Sequence, residues 1–297
     1  MSETTQTRVL VTGAAGMLGS QLLLSVPDGI AAVGTDLREA PGVEAVGVDL
    51  ADTQAVAALF ADHGPFTGVI HAAAYTAVDK AEEEEELAQR VNATACEVLA
   101  QACQAAGIPL VVVSTDFVFD GEASEPYAED HATRPLSAYG RTKLAGERAA
   151  QAVHPDGVRI VRTQWLYGPR GRHFPQTMMQ LARERSELSV VHDQIGSPTS
   201  TLELAPALWD VLRSGEAGIY HAACEGSCSW FELAAATIEA AGIEGCEVKP
   251  CTTAEFPRPA HRPAYSVLDC SRLTALRGKP LATWHEALMT YLGTESS

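Results

Sequence analysis

Two side chains near the middle of the sequence, Tyr139 and Lys143, have the types and the spacing of a proton-transfer pair. They stand four residues apart at the start of a segment with a helical pattern, so they share one helix face. An ammonium beside a phenol favours the phenolate, which would lower the tyrosine pKa below its ordinary value of about 10. Such a tyrosine can exchange a proton near neutral pH. The same pattern is typical of a surface Tyr and Lys on an ordinary helix. Motifs elsewhere in the sequence must therefore show whether this pair is catalytic.

A glycine-rich turn follows the first predicted strand. The stretch TGAAGMLG holds Gly13, Gly16 and Gly19 at the entrance to a predicted helix, with Met17 and Leu18 between the last two glycines. In a dinucleotide-binding turn the first glycine allows the turn and the second lets backbone amides approach a pyrophosphate. The third lets the helix pack close to the sheet, with the pyrophosphate at the helix N-terminus. We expect these five residues to bind a dinucleotide cofactor.

The ends of later strands supply the rest of the expected cofactor site. Asp36 ends the second strand, where an acidic residue accepts hydrogen bonds from the ribose hydroxyls of NAD. Arg38, two positions later, suits the 2′-phosphate of NADP instead, so the pair leaves both NADPH and NADH open. We expect Asp49 and Leu50 to flank the adenine. Small side chains at one strand end let a cofactor lie against the backbone, and these are Ala72, Ala73 and Ala74.

The elements that must position these residues alternate between strand and helix from residue 8 to residue 168. This alternation predicts an α/β fold with a doubly wound parallel sheet of the Rossmann type. The stretch 81–107 is expected to be one long helix closed by Gly107, and the almost continuously apolar stretch 108–121 a strand covered on both faces.

Beyond this region the pattern loosens, which predicts a smaller C-terminal part interleaved with the sheet. We predict a dinucleotide-binding domain over 1–165, with 202–224 returning to it. The substrate-binding part is expected to comprise 166–201 and 225–297.

The net charge and the distribution of apolar residues argue against several classes of partner. The chain has 297 residues and a formal net charge of −17, which disfavours nucleic acid and anionic membrane surfaces. The N-terminal segment MSETTQTRVLVTG has no apolar stretch of signal-peptide length and no run is long enough to span a bilayer, so we predict a cytoplasmic protein. Seven cysteines at irregular spacings form no zinc-ligand pattern, and no metal site is predicted.

A third element supports a catalytic interpretation. One apolar strand ends in Ser114, Thr115 and Asp116, where a hydroxyl can polarise a substrate carbonyl. The order GxxGxxG, then this strand end, then YxxxK resembles the short-chain dehydrogenases. That resemblance implies hydride transfer from a reduced nicotinamide to a carbonyl carbon, with Tyr139 as proton donor. Lys143 would lower the Tyr139 pKa and hold the nicotinamide ribose, and Thr115 would orient the carbonyl.

The resemblance extends to a narrower family. The segments STDFVFDG, YGRTKLAGE, DQIGSPTS and RPAYSVLD, in this order, resemble those of dTDP-4-dehydrorhamnose reductases. This implies reduction of the C4 keto group of dTDP-4-dehydro-L-rhamnose to dTDP-L-rhamnose, with NADPH as cofactor or NADH as the alternative. The implied catalytic residues are Thr115, Tyr139 and Lys143. The implied substrate-binding residues are Asp116, Phe117, Trp165, Gln194, Ser197 and Arg262.

Arg262 also has a physical argument, because an anionic diphosphate in so acidic a protein needs a guanidinium fork. Two departures from the family pattern stand out. Phe117 replaces the Tyr of many relatives and removes a hydroxyl near the sugar. Gln21 stands where some relatives have a magnesium-binding Glu between subunits, so no metal is expected and both a monomer and a homodimer are open.

Three other functions fit parts of the pattern. A regulatory, dinucleotide-binding subunit of the kind that associates with methionine adenosyltransferase shares the fold. A nucleotide-sugar epimerase would recycle a bound NAD. A reductase of another dTDP-linked keto sugar would use the same catalytic set, because the stereochemistry at C4 depends on how the sugar lies in the site.

Overall fold

The elements of this computed structural model span the described residues, 7–295. Residues 1–6 and 296–297 lie outside the described residues. The first six residues of the N-terminal segment MSETTQTRVLVTG and the outer limits of the two predicted domains therefore lie outside them too. The strands are β1 Thr7–Thr12, β2 Ile30–Asp36, β3 Val43–Val46, β4 Gly68–His71, β5 Leu110–Thr115, β6 Val158–Thr163, β7 Leu166–Tyr167, β8 Glu187–Val191, β9 Ile195–Gly196, β10 Thr199–Ser200, β11 Gly218–His221, β12 Cys228–Ser229 and β13 Glu247–Cys251. The α-helices are α1 Met17–Leu24, α2 Thr53–His63, α3 Glu85–Gln89, α4 Ala95–Ala106, α5 Ala138–Val153, α6 Phe174–Glu184, α7 Thr201–Ser214, α8 Trp230–Ala240, α9 Ser271–Arg277 and α10 Trp284–Glu295.

Seven strands form the central sheet in the order β11–β6–β5–β4–β1–β2–β3, and every neighbouring pair is parallel. From β1 the chain adds β2 and β3 on one side, then returns to add β4, β5, β6 and β11 on the other. The direction of winding therefore reverses between β1 and β4, and in such sheets ligands bind outside the carboxyl ends of the strands at that point. The predicted doubly wound parallel sheet is confirmed.

Side chains that alternate along each strand build one core on each face of the sheet. In β1, Val9 and Val11 belong to the core that includes α1 and α7, whereas Leu10 between them belongs to the core that includes α2 and α4. In β5, Val111 and Val112 divide in the same way. This period of two with apolar residues on both faces is what the sequence predicts for a covered parallel sheet.

A second group of elements lies outside the central sheet. It contains three two-stranded sheets, of which β7–β10 and β8–β13 are parallel and β9–β12 is antiparallel. Residues of α6, α8 and β8 form a separate apolar cluster there. The pairing of β11 with β6 supports the proposal that 202–224 returns to the dinucleotide-binding part.

The helix expected over 81–107 is interrupted, so that prediction is wrong in detail. The structure has a 3₁₀ turn at Lys80–Glu82, then α3, a π-helical turn at Arg90–Thr94, and α4, which ends at Gly107 with φ +66°. Asn92 in the π turn accepts a hydrogen bond from the Tyr75 amide at 2.8 Å and donates one to Thr142 Oγ1 at 3.1 Å. These contacts with distant segments outweigh helical propensity, and π turns of this kind recur at functional sites.

Among the described residues, no helix combines the length and the apolar character needed to cross a membrane. The cytoplasmic location stays a prediction.

Candidate active site

A cleft of about 800 Å³ opens at the carboxyl ends of β1, β2, β4, β5 and β6, where the winding of the sheet reverses. All of the predicted catalytic and cofactor-binding residues line it: Gly13, Gly16, Met17, Leu18, Gly19, Asp36, Arg38, Asp49, Leu50, Ala72, Ala73, Ala74, Thr115, Tyr139 and Lys143. Three predicted substrate-binding residues line it as well, namely Asp116, Phe117 and Trp165. The other three, which are Gln194, Ser197 and Arg262, are not part of the lining. The structure brings these residues together, and their individual roles stay predictions.

Close backbone approaches explain the glycines of the first turn. Gly13 has φ +67°, and a Cβ there would lie 2.7 Å from the backbone nitrogen of Ala73. A Cβ on Gly19 would lie only 2.0 Å from the Gly13 carbonyl oxygen. α1 begins after Gly16 without a side-chain cap, so its first amides are available to an anion. The turn therefore forms a narrow backbone cradle that a dinucleotide pyrophosphate fits.

Asp36 and Arg38 lie at the next strand end with different surroundings. The Asp36 carboxylate accepts hydrogen bonds from the amides of Ala15 at 3.0 Å and Arg38 at 3.1 Å, so it ties the glycine turn to β2. The Arg38 side chain is 72% exposed, and its Nε lies 3.7 Å from Asp36 Oδ1. The guanidinium is thus free to meet a phosphate at the rim, whereas the carboxylate already supports the backbone.

Asp49 forms an ion pair with Arg90 at the far rim of the cleft. Both side chains are about half exposed, and the hydrogen bond from Arg90 lowers the pKa of the Asp49 carboxyl. Arg90 begins the π turn and was not singled out from the sequence. Its position follows from the interruption of the long helix, for which the sequence carries no local signal.

Thr115 and Asp116 form a buried polar unit at the end of β5. Thr115 Oγ1 donates a hydrogen bond to Asp116 Oδ1 at 2.9 Å and accepts one from the Phe117 amide at 3.3 Å. Asp116 is 2% exposed, and burial raises the pKa of its carboxyl to about 6, although the hydrogen bond from Thr115 acts in the opposite direction. One buried carboxylate therefore titrates near neutral pH beside the candidate catalytic hydroxyl.

Tyr139 lies in the first turn of α5, which is capped by the Ser137 hydroxyl accepting from the Gly140 amide. Burial raises the pKa of Tyr139 to about 12, the hydrogen bond with Thr115 lowers it, and the charge of Asp116 raises it. The expectation that Tyr139 has a pKa below its ordinary value of about 10 is therefore not met in this structure, and the effect of Lys143 on this pKa stays a prediction. Desolvation outweighs the helical spacing on which that expectation was based.

Lys143 is 4% exposed, and its ammonium donates a hydrogen bond to the Val113 carbonyl at 2.7 Å. Burial lowers the pKa of this ammonium. His71 lies in the same cleft, with Nδ1 2.7 Å from Thr12 Oγ1, and burial lowers its pKa to about 3, so it is a neutral imidazole. Of the two, only Lys143 brings a positive charge to the cleft.

A buried ion pair lies beneath these residues. Glu147, one turn after Lys143 on α5, pairs with Arg162 on β6 at 2.7 Å, and both side chains are 2% exposed. The hydroxyl of Ser114, which precedes Thr115 on β5, donates to the same carboxylate. One carboxylate thus links β5 and α5, which carry the candidate catalytic residues, to the neighbouring strand β6.

Trp165 lies on the substrate side with a constrained backbone and a stacked ring. Its φ is +49°, and its indole stacks on Trp230 with centroids 3.5 Å apart and an interplanar angle of 8°. A Cβ on Gly196 would lie 2.6 Å from the Trp165 ring, so this neighbour must be a glycine. Phe117 meets Tyr139 edge to face with ring centroids 5.5 Å apart.

Gln194 and Ser197 use their polar groups inside the protein. Gln194 Nε2 donates to Thr253 Oγ1 at 3.0 Å, and its Oε1 accepts from the Trp230 indole at 3.2 Å. Ser197 Oγ donates to the Gly226 carbonyl at 2.7 Å. Neither residue is part of the cleft lining, and their contact with the substrate stays a prediction.

Arg262 forms a bidentate pair with Asp79, with N–O distances of 2.6 and 2.9 Å, and also donates to the Ala260 carbonyl. Its guanidinium is thus engaged by a carboxylate, and its contact with the substrate diphosphate stays a prediction. The sequence did not reveal this partner, because Asp79 and Arg262 are 183 residues apart and only folding brings them together. Asp79 and Arg262 join the loop after β4 to the segment before α9.

Several residues of the lining were missed at the sequence level. Thr163 and Gln164 continue β6 into Trp165, and strand-end position was the signal available for them. The others are Thr35, Leu37, Val48, Ala51, Thr76, Val78, Leu87, Arg90, Val91, Ala95, Val113, Leu166 and Arg172. Within residues 7–295, no cluster of three or more His, Cys, Asp or Glu side chains is arranged to hold a metal ion.

Comparison with known proteins gives consistent matches along the chain. Residues 7–296 match the family described as RmlD substrate binding domain. A dTDP-4-dehydrorhamnose reductase of Streptomyces griseus is 44% identical over 293 residues, which cover 97% of this chain and 94% of that protein. A probable dTDP-4,6-dihydroxy-2-methyloxan-3-one 4-ketoreductase of Streptomyces antibioticus is 42% identical over 286 residues, covering 95% and 93% of the two chains.

A solved structure shares the fold over its whole length. The crystal structure of a dTDP-4-dehydrorhamnose reductase from Bacillus anthracis in complex with NADP superimposes with a TM-score of 0.90. It is 36% identical, and the alignment covers 98% of this chain and 100% of that chain.

Proposed function

The chain belongs to the dTDP-4-dehydrorhamnose reductase family, and from this membership we propose that it reduces the C4 keto group of dTDP-4-dehydro-L-rhamnose, giving dTDP-L-rhamnose with NADPH as the reductant. The observation that carries the proposal is the convergence of Thr115, Tyr139 and Lys143 on the cleft whose other end is the glycine turn. A dinucleotide and a carbonyl substrate can therefore meet in one space.

The dinucleotide fits the backbone cradle at Gly13 and Gly19, where side chains would collide with the main chain. When bound, the reduced nicotinamide supplies the hydride that adds to the carbonyl carbon. Tyr139 gives its hydroxyl proton to the carbonyl oxygen, which becomes the new hydroxyl, and the phenolate takes up a proton before the next turnover. A pKa of about 12 keeps Tyr139 protonated until charge develops on the substrate oxygen.

Thr115 and Lys143 support this transfer from two sides. The Thr115 hydroxyl neighbours Tyr139 and orients the carbonyl oxygen when its proton turns from Asp116 to the substrate. The Lys143 ammonium, held at the Val113 carbonyl, keeps two further N–H donors for the nicotinamide ribose and the phenolate.

NADPH is the proposed reductant because the exposed Arg38 guanidinium suits a 2′-phosphate, while Asp36 is engaged by backbone amides. The similar Bacillus anthracis reductase was crystallised with NADP. Comparing the KM values for NADPH and NADH in wild type and Arg38→Ala would check this choice.

The function is tested by NADPH absorbance at 340 nm with dTDP-4-dehydro-L-rhamnose as substrate. We expect wild type to oxidise NADPH and Tyr139→Phe to lose about 10²- to 10⁴-fold in kcat with an unchanged NADPH dissociation constant. Tyr220→Phe is the matched control, because the Tyr220 hydroxyl bonds to the Glu216 carbonyl away from the cleft. Folded wild-type protein that binds NADPH but does not oxidise it with this sugar would contradict the proposal.

A second candidate function is reduction of another dTDP-linked 4-keto sugar. It is favoured by the 42% identity to the Streptomyces antibioticus ketoreductase, which is close to the 44% found for the rhamnose-forming relative. Measuring kcat/KM for both keto sugars under the same conditions distinguishes the two, since the true substrate should have the higher value.

A further inference from the structure

We propose that the side-chain amide of Gln164 binds a hydroxyl group of the substrate sugar and makes Gln164 a specificity-determining residue. The inference rests on the proposed function, because it takes the substrate to be a nucleotide-linked sugar. Gln164 directly follows β6 and lines the same cleft as Thr115 and Tyr139. It lies next to Trp165, after a strand that is separated by β5 and β4 from β1 and its glycine turn.

The orientation of the Gln164 amide follows from its partners. Its Oε1 accepts hydrogen bonds from the Ser197 amide at 3.1 Å and from Ser266 Oγ at 2.9 Å. A backbone amide can only donate, so the side-chain atom facing Ser197 must be the oxygen. The NH₂ group is therefore held away from Ser197 by contacts from two distant segments.

The nitrogen of this amide is buried and has no hydrogen-bond acceptor among the described residues. The residue itself is 2% exposed. A buried donor without an acceptor is costly, and native proteins keep very few of them. Such a group is expected where a ligand provides the missing acceptor.

Two other residues of the cleft lining also have a buried polar atom without a hydrogen-bond partner. Thr163 Oγ1 and Asp116 Oδ2 are buried, and neither has a partner among the described residues. Together with Gln164 Nε2 they present a donor, an acceptor and a hydroxyl that can do both. A sugar ring offers neighbouring hydroxyls that donate and accept, whereas a purely apolar ligand would leave all three groups unsatisfied.

Gln194 provides a comparison within the same chain. Both ends of its amide are already bonded, to Trp230 and Thr253, and the resemblance to the reductase family suggested this glutamine as the substrate ligand. If a buried polar group without a partner identifies the sugar contact, substitution of Gln164 must weaken sugar binding more than substitution of Gln194.

The experiment measures dissociation constants of dTDP and dTDP-L-rhamnose by titration calorimetry with NADP⁺ bound. Gln164→Leu removes the donor, and Gln164→Glu keeps an oxygen for Ser197 and Ser266 while replacing the donor by an acceptor. We expect either change to weaken dTDP-L-rhamnose binding about 10- to 100-fold and to leave dTDP binding nearly unchanged, as for a lost buried hydrogen bond.

An equal loss for dTDP and dTDP-L-rhamnose would overturn the inference, because it would mean a general effect on the site. A larger loss of sugar-dependent affinity in Gln194→Leu than in Gln164→Leu would overturn it as well. Thermal unfolding of each variant shows whether the protein is folded. Failure of the proposed function is visible separately, as absence of NADPH oxidation by wild type with dTDP-4-dehydro-L-rhamnose.

Discussion

On the cofactor side of the cleft, the expected lining residues lie at the end of β2, in the loops after β1, β2, β3 and β4, or in the first turn of α1, and backbone geometry positions the glycine turn. On the substrate side, Gln164 and Trp165 are held by the Ser197 backbone amide and by the side chains of Ser266 and Trp230, which are far away in the sequence. A local turn such as the glycine turn accepts few substitutions by larger side chains, but it needs few contacts with distant segments to keep its shape. A surface assembled from distant segments adapts more easily to a new ligand, and it depends on each long-range contact.

The buried Glu147–Arg162 pair joins α5 to β6, which leads into the substrate side, and breaking this pair should give the largest effect. We expect Glu147→Ala to destabilise the protein by about 3 to 5 kcal/mol, because it leaves the Arg162 charge buried without a partner. Urea unfolding measures this change in the free energy of unfolding.

The control for this prediction is the double variant Glu147→Leu with Arg162→Met. It removes both charges and should recover much of the lost stability. A double variant as unstable as Glu147→Ala would contradict the electrostatic explanation.

A single methyl group should disrupt the cofactor side. We expect Gly19→Ala to cost about 1 to 3 kcal/mol or more and to weaken NADPH binding at least tenfold, because its Cβ would lie 2.0 Å from the Gly13 carbonyl oxygen. Gly16→Ala is the matched control for stability in the same turn, because its closest contact would be at 3.0 Å, and it should lower the free energy of unfolding less. Fluorescence titration with NADPH gives the affinities and urea unfolding the stabilities, and equal losses of stability would contradict the steric argument.

The free energy of unfolding should depend on pH through the Asp116 carboxyl on the substrate side. Its carboxyl pKa of about 6 exceeds the ordinary value of about 3.9, so between these values the folded protein binds more protons than the unfolded chain. Stability from this group therefore falls as the pH rises from 4 to 6.

We expect Asp116→Asn to gain stability relative to wild type by about 1 to 3 kcal/mol between pH 4 and pH 7. Urea unfolding at several pH values checks this. A constant difference between the two proteins would show that Asp116 does not titrate in this range.

The smallest effect is expected for the Asp79–Arg262 pair on the substrate side. Both side chains are partly exposed, so Arg262→Met should cost about 0.5 to 1 kcal/mol, and Asp79→Asn a similar amount. If Arg262 instead binds the diphosphate, Arg262→Met would weaken dTDP binding strongly while Asp79→Asn would not. A calorimetric titration of both variants with dTDP distinguishes the two outcomes.

The difference between the two sides also appears in how much could be predicted. The glycine turn, the alternation of strands and helices and the pair Tyr139–Lys143 were readable because chain geometry fixes spacing within one turn or one strand. All residues expected on the cofactor side line the cleft. On the substrate side, Gln194 and Arg262 were chosen from resemblance, while Gln164 was overlooked although it stands beside Trp165.

By itself, the sequence determined the parallel sheet, the position of the glycine cradle and the order in which the candidate catalytic residues appear. Only the tertiary structure decided that Arg262 pairs with Asp79, that the helix over 81–107 contains a π turn, and that Tyr139 has a raised pKa. The physical reason is that local spacing follows from bond geometry and the period of helix or strand. Burial and the choice of a hydrogen-bond partner depend instead on which distant segments come into contact when the chain packs.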